Sequence, residues 1–166
     1  MSASRLLAGL LTVLFVGDMR AAGPEPPVKL VVQITVDGLR PDMLHQISPR
    51  LGADGFRYLL DHGVEYQQAH YKHSATFTAG GHATLFTGTY APYHGIVGNY
   101  WYDAESKKRI YCVADPRYPI LAPPSGRGEG RSPAHLLCST IGDELARASG
   151  KRSRTFSVSI KDRAAI

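Results

Sequence analysis

The sequence predicts an α/β domain with a largely parallel sheet flanked by helices, and three observations predict it. Val28 to Val36 is rich in β-branched residues and almost continuously apolar, the pattern of a strand buried on both faces. Two further short runs, Val64 to Ala69 and Thr155 to Ile160, read as strands. Between them lie stretches with apolar residues at helical spacing, so strand and helix alternate along the chain.

The elements follow in order. Pro24-Glu25-Pro26-Pro27 reads as an extended linker, and the first strand stops at Asp37-Gly38. Ser48-Pro49 offers an N-cap and a first-turn proline to a helix carrying Leu51, Phe56, Leu59 and Leu60, closed by Gly63. After the strand Val64 to Ala69 comes His73 to Tyr90, a stretch crowded with hydroxyls and glycines that holds a Thr-rich loop and then a short helix from Ala79 or Gly80 to Phe86. Tyr100 to Tyr102 and Arg109 to Val113 read as a hairpin turning through Asp103 to Lys108. Pro116 to Arg131, without periodicity, reads as an exposed loop. Ser132-Pro133 opens what reads as the clearest helix, with Leu136, Leu137, Ile141 and Leu145 on its buried side and Gly150 as its stop.

At 166 residues the chain suits one domain, and with 43% hydrophobic and 20% charged residues it has a globular composition. The formal charge of +5 is spread over short clusters such as Lys107-Lys108-Arg109, with no basic stripe, so nucleic-acid binding is not expected. Residues 1–22 have the layout of a secretory signal peptide: Arg5, an apolar run Leu6 to Val16, then Ala21-Ala22-Gly23. The run is short for a bilayer span, although Met19 and Arg20 fit the cleavage site imperfectly and a retained anchor is the alternative. Removal would lower the formal charge to +4 and leave no stable membrane insertion. Export, periplasmic or secreted, would place Cys112 and Cys138 where they could pair, while burial of Cys138 within a helix is the competing reading.

Ligands of open α/β sheets gather outside the carboxyl ends of strands. Three such ends carry suggestive residues: Asp37 after the first strand, Ser74 to Thr78 after the second, and Lys161-Asp162-Arg163 after the last. A carboxylate for metal, a hydroxyl beside a helix start and two cations make an inventory for phosphoryl transfer. Each also has an ordinary reading. Asp before Gly forms turns, Thr caps helices, and Lys and Arg after strands are solvated. His82 fits a hydrogen-bonded structural role, and His70 with His73 is too small a set to define a metal site.

The combination of VDGLRPDML, HSATFTAGGHATLFTGTYAPYHGIVGNYWYD, STIGDEL and VSIKDRAAI resembles the alkaline phosphatase superfamily. It is closest to the branch joining secreted alkaline phosphatases with a Thr nucleophile to the type I phosphodiesterase/nucleotide pyrophosphatases. The resemblance runs from about Val28 to Ile166. It implies that residues 23–166 are the N-terminal portion of an alkaline-phosphatase-like catalytic domain, incomplete at the C-terminus. It implies Asp37 as a zinc ligand and Thr78 as a nucleophile that also binds zinc, with Thr76 the near competitor. Asn99, Lys161 and Arg163 would bind the phosphoryl group of a phosphorylated small-molecule substrate. The Lys-Asp-Arg arrangement favours monoesters, with phosphodiesterase or nucleotide pyrophosphatase activity as the alternative. Gly80 stands where the family commonly has proline. A complete site in the family holds two zinc ions, and most of its Asp and His ligands lie beyond the stretch matched by this chain. The resemblance therefore leaves a third reading, a non-catalytic fragment or weak anion binder.

Overall fold

The computed structural model describes residues 28–121 and 130–166. The proposed signal peptide, the proline linker and the tip of the loop after Pro116 lie outside the described residues. The described residues divide into two units, the first ending at Ile34 and the second running from Thr35 to Ile166.

In the first unit, residues 28–34 form neither helix nor paired strand, and Val28, Val32 and Ile34 are exposed. The second unit holds six helices and one sheet among the described residues. The helices are α1 (Pro41–Ile47), α2 (Phe56–His62), α3 (Thr78–Thr87), α4 (Ala91–His94), α5 (Ile141–Ala148) and α6 (Asp162–Ala165). A single 3-10 turn, Ser48–Arg50, follows α1. The sheet is an antiparallel hairpin of β1 (Tyr100–Asp103) and β2 (Lys108–Tyr111).

The expected parallel sheet is therefore not formed among the described residues. Residues 64–69 and 155–160 are neither helix nor paired strand, and Val64, Phe156, Val158 and Ile160 stand exposed. A continuous apolar run gains stability as a parallel strand only when neighbours supply its ladder and cover both faces, and no described segment does so here. The hairpin follows the expected register closely. Tyr100 pairs with Tyr111 and Asp103 with Lys108, while the Asp103 carboxylate accepts the Ser106 N–H at 2.8 Å to tighten the turn.

Helix boundaries shift for local reasons. Pro41 at the first turn of α1 starts a helix that the spacing of apolar residues does not announce. The long helix expected from Ser132 begins only at Ile141. Its N-cap is Thr140, whose hydroxyl accepts the Asp143 N–H while the Asp143 carboxylate accepts the Thr140 N–H, a capping box. Ser132 serves elsewhere: its hydroxyl donates to Asp115 at 2.6 Å. Cys138 accordingly lies before the helix rather than inside it, and both cysteines are free thiols.

The core is small and sits where the site will be. Ala79, Ile96, Cys112 and Val113 are buried together, with Ala83, Trp101, Tyr111 and Leu136 packed against them. It joins the start of α3, the segment after α4 and the end of the hairpin. Fully buried His94 holds this junction. Its Nδ1 accepts the Ile96 N–H at 3.1 Å, so the ring proton is on Nε2 and is donated to Thr84 Oγ1 at 3.2 Å. Burial pushes the His94 pKa down, keeping the ring neutral.

The base of the long loop is clamped rather than loose. Buried Asp115 accepts from Ser132 and from the Arg117 guanidinium, Ala114 bridges to Arg131, and the Asp115 N–H donates to Gly130 at 2.9 Å. The chains approach so closely that a Cβ on Gly130 would lie 1.9 Å from the Asp115 carbonyl oxygen. Among the described residues, no helix is long and apolar enough to cross a membrane.

Candidate active site

Asp37 is aimed by a turn. The Leu39 N–H reaches back to the Val36 carbonyl at 3.4 Å, and Gly38 takes φ of +79°, a left-handed conformation that favours glycine. The carboxylate is thereby brought to the start of α3, 41 residues further along the chain. Thr78, the first residue of α3, donates its hydroxyl to Asp37 Oδ2 at 3.1 Å. The Lys161 ammonium donates to the same oxygen. That lysine holds the Asp37 carboxyl below its ordinary range; desolvation opposes the shift and the Thr78 hydrogen bond adds to it. Both charged ends are more than a third exposed, 39% and 44%, so solvent screens the pair and it adds little to stability.

Asn99 meets the same helix start from another direction. Phe77, the N-cap residue of α3, offers no side-chain cap; instead Asn99 Oδ1 accepts the Ala79 N–H at 3.0 Å. This bond fixes the amide orientation, leaving the Asn99 NH2 as a donor without a partner among the described residues. His82 contributes structurally, its Nδ1–H donating to the Thr78 carbonyl at 2.8 Å. Gly80 is buried, and a Cβ there would sit 3.4 Å from the Ile96 carbonyl oxygen.

Arg163 lies on α6, which packs against α3. Its Nη1 donates to Tyr111 Oη at 3.3 Å, whereas its Nε is buried without a partner. Thr78, Asp37 and Lys161 thus form one knot, Asn99 is tied to its helix, and Arg163 approaches through the hairpin. No hydrogen bond joins Arg163 to that knot among the described residues. Thr76, the competing hydroxyl, lies two residues before the helix start and makes no such bond to Asp37 among the described residues. The sequence reading gives Tyr111 no role. Its place opposite Tyr100 in the hairpin is the only signal the chain carries for it.

Asp37 and Thr78 also fit as two donors to one metal ion. Two oxygens bound tetrahedrally at about 2.0 Å stand roughly 3.3 Å apart, close to the 3.1 Å observed. A structural or catalytic zinc site needs at least three protein donors, and no group of three or more His, Cys, Asp or Glu comes together among the described residues. A cavity of about 360 Å³ lies elsewhere on α3, between Phe86, Cys112, Leu136 and Cys138; of the predicted site residues only Arg163 lines it.

Residues 31–161 match the family model for type I phosphodiesterase/nucleotide pyrophosphatase. Alkaline phosphatase PafA of Elizabethkingia meningoseptica is 38% identical over 160 residues, 95% of this chain and 29% of its own length. Alkaline phosphatase PhoV of Synechococcus elongatus is 36% identical, over 98% of this chain and 32% of its own. The chain thus spans under a third of the length of these relatives. The crystal structure of wild-type PafA superposes with a TM-score of 0.72 at 36% identity, over 77% of this chain and 25% of that one. A PafA variant with four substitutions gives 0.74 at 34% identity, over 79% of this chain and 25% of that one. The fold is alkaline-phosphatase-like, and the chain belongs to the type I phosphodiesterase/nucleotide pyrophosphatase family, within the alkaline phosphatase superfamily.

Proposed function

We propose that this chain supplies the phosphoryl-binding side of a zinc-dependent phosphomonoesterase that works through a phosphothreonine on Thr78. The observation that carries the reading is the Thr78 hydroxyl at the first residue of α3, sharing Asp37 Oδ2 with the Lys161 ammonium. The substituted residues of the PafA variant are a threonine, an asparagine, a lysine and an arginine. They have the same order and spacing as Thr78, Asn99, Lys161 and Arg163.

The substrate phosphate is attacked by Thr78 Oγ1, the bond to the leaving oxygen breaks, and the threonine proton ends on the released alcohol. Water then attacks the phosphothreonine, releasing inorganic phosphate and restoring the hydroxyl. Asp37 orients the threonine but, with its carboxyl held below the ordinary range, is a weak base. Zinc, when bound by Asp37, Thr78 and further donors, supplies the charge that lowers the pKa of the hydroxyl. The Asn99 amide, Lys161 and Arg163 bind the non-bridging oxygens, whose charge is greater in a monoester than in a diester. Two oxygen donors hold zinc too weakly by themselves, so the 166-residue polypeptide alone is expected to be inactive. Export of the protein, through the signal-like residues 1–22, belongs to the same proposal.

A chimera tests the reading: residues 23–166 replace the matching segment of PafA, and hydrolysis of an aryl phosphate is compared with that of its methyl diester. Zinc-dependent turnover of the monoester is expected, falling at least about 10³-fold in Thr78→Ala. A folded, zinc-loaded chimera that remains active without the threonine hydroxyl would refute the assignment. Preference for the diester would move it to the phosphodiesterase side.

A further inference from the structure

We propose that Tyr111 and Asp162 are positioning residues for Arg163, clamping its guanidinium so that the Nε–Nη2 edge faces the phosphoryl group. The inference rests on the reading of Arg163 as a phosphoryl contact and adds the residues that aim it.

The hydrogen-bond directions are fixed by the chemistry. Burial, then the adjacent Asp162 carboxylate, raises the Tyr111 pKa, so the phenol keeps its proton. Burial would likewise raise Asp162, but donation from Tyr111, Arg131 and the Arg163 N–H outweighs it and keeps the carboxylate ionised. Tyr111 must therefore donate to Asp162 Oδ1, and its oxygen is left to accept Arg163 Nη1 at 3.3 Å. Asp162 is itself anchored. Its Oδ2 accepts Arg131 Nε at 2.6 Å, and its Oδ1 also accepts the Arg163 backbone N–H at 2.7 Å. The Arg131 guanidinium lies over the Tyr111 ring, 5.1 Å from its centroid.

The consequence concerns which edge of the guanidinium is spent. Nη1 is held by the phenol, while the opposite edge, Nε with Nη2, makes no hydrogen bond among the described residues. Nε is buried there, so an unpaired N–H is retained at a cost of desolvation. Two parallel donors on one planar edge match two oxygens of a phosphate. The hairpin, the base of the long loop and α6 thus converge on the orientation of a single cation.

Modification by phenylglyoxal, read at each arginine by peptide mass spectrometry with and without inorganic phosphate, tests the clamp on the whole chain. Phosphate should protect Arg163 in the wild type. In Tyr111→Phe, which keeps the ring under Arg131, Arg163 should react several-fold faster and need about tenfold more phosphate for protection. Arg57 and Arg117, held by other partners, should be unchanged. Faster reaction at all arginines would signal general loosening, and Asp162→Asn then decides by whether release is confined to Arg163 and Arg131, which Asp162 also holds, with Arg57 and Arg117 unchanged. Unchanged Arg163 reactivity in both variants overturns the clamp. Failure of phosphate to protect wild-type Arg163 overturns the phosphoryl reading instead, while the reactivity comparison still judges the clamp.

Discussion

Asn99 carries two duties that substitution can separate. Its Oδ1 caps the Ala79 N–H at 3.0 Å, and in the proposed function its NH2 binds a phosphoryl oxygen. Asn99→Ala removes both. Ala79 is 4% exposed, so water cannot readily replace the lost acceptor. The cost should be about 1.5 kcal/mol, the range of a lost N-cap. For a chain of this size that lowers the melting temperature by roughly 3–6 °C. Asn99→Asp keeps an oxygen at the cap and places negative charge near the helix start, worth about 0.3–1 kcal/mol in favour of folding. It also replaces the donor with a like-charged group facing the anion. The two variants should therefore agree in phosphate binding, at least about tenfold weaker, and differ in stability. Urea or thermal denaturation with calorimetric titration of inorganic phosphate reads both. Equal destabilisation by Ala and Asp would refute the cap, and wild-type phosphate affinity in Asn99→Asp would refute the donor.

Two other expectations concern the frame of the site. Gly130→Ala puts a methyl group 1.9 Å from the Asp115 carbonyl oxygen and 2.5 Å from that of Tyr118, so the loop base must open, at a cost of about 3 kcal/mol. Denaturation midpoints and protease cleavage within 114–131 will show it; an unchanged midpoint would contradict the close approach. His94 has a folded-state pKa below its ordinary 6.5, so the unfolded chain binds the proton more readily. Its contribution is full above pH 6.5 and is lost as pH falls below that value. Wild type should lose stability on acidification through this window, and His94→Gln should flatten the slope there. A parallel slope in the two proteins would contradict the neutral-ring assignment.

Local chemistry made much of the frame legible. Tyr100 to Tyr111 reads as a hairpin because aromatic and β-branched positions flank a polar turn, and the pairing lies within two residues of expectation. The sequence puts the start of α3 at Ala79 or Gly80, and it falls at Thr78, one residue before that range. Ser132-Pro133 misleads because a serine that can cap a helix can equally cap a buried carboxylate, as it does for Asp115; the Thr140 to Asp143 capping box was the better signal. Continuous apolar, β-branched runs point to parallel strands, but pairing is a long-range property that no single run of residues contains. At the site, Asp37, Thr78 and Lys161 could be nominated as residue types at element ends. The dependence of Arg163 on Tyr111 could not, because it requires the hairpin to meet α6 in space.

The three-way knot at Asp37 bears on when the site comes into being during synthesis. The hairpin, the helices and the Asn99 cap, which spans 20 residues, can form from chain already made. Joining Asp37 to Lys161 closes a separation of 124 residues, at an entropic cost about 1.6 kcal/mol above closing 20. On a translating ribosome Asp37 and Thr78 emerge long before Lys161. The carboxylate and hydroxyl must therefore wait, solvated and without their cation, until the stretch carrying α6 has been made. Completion of the site is therefore tied to the last stretch of the described chain to be synthesised.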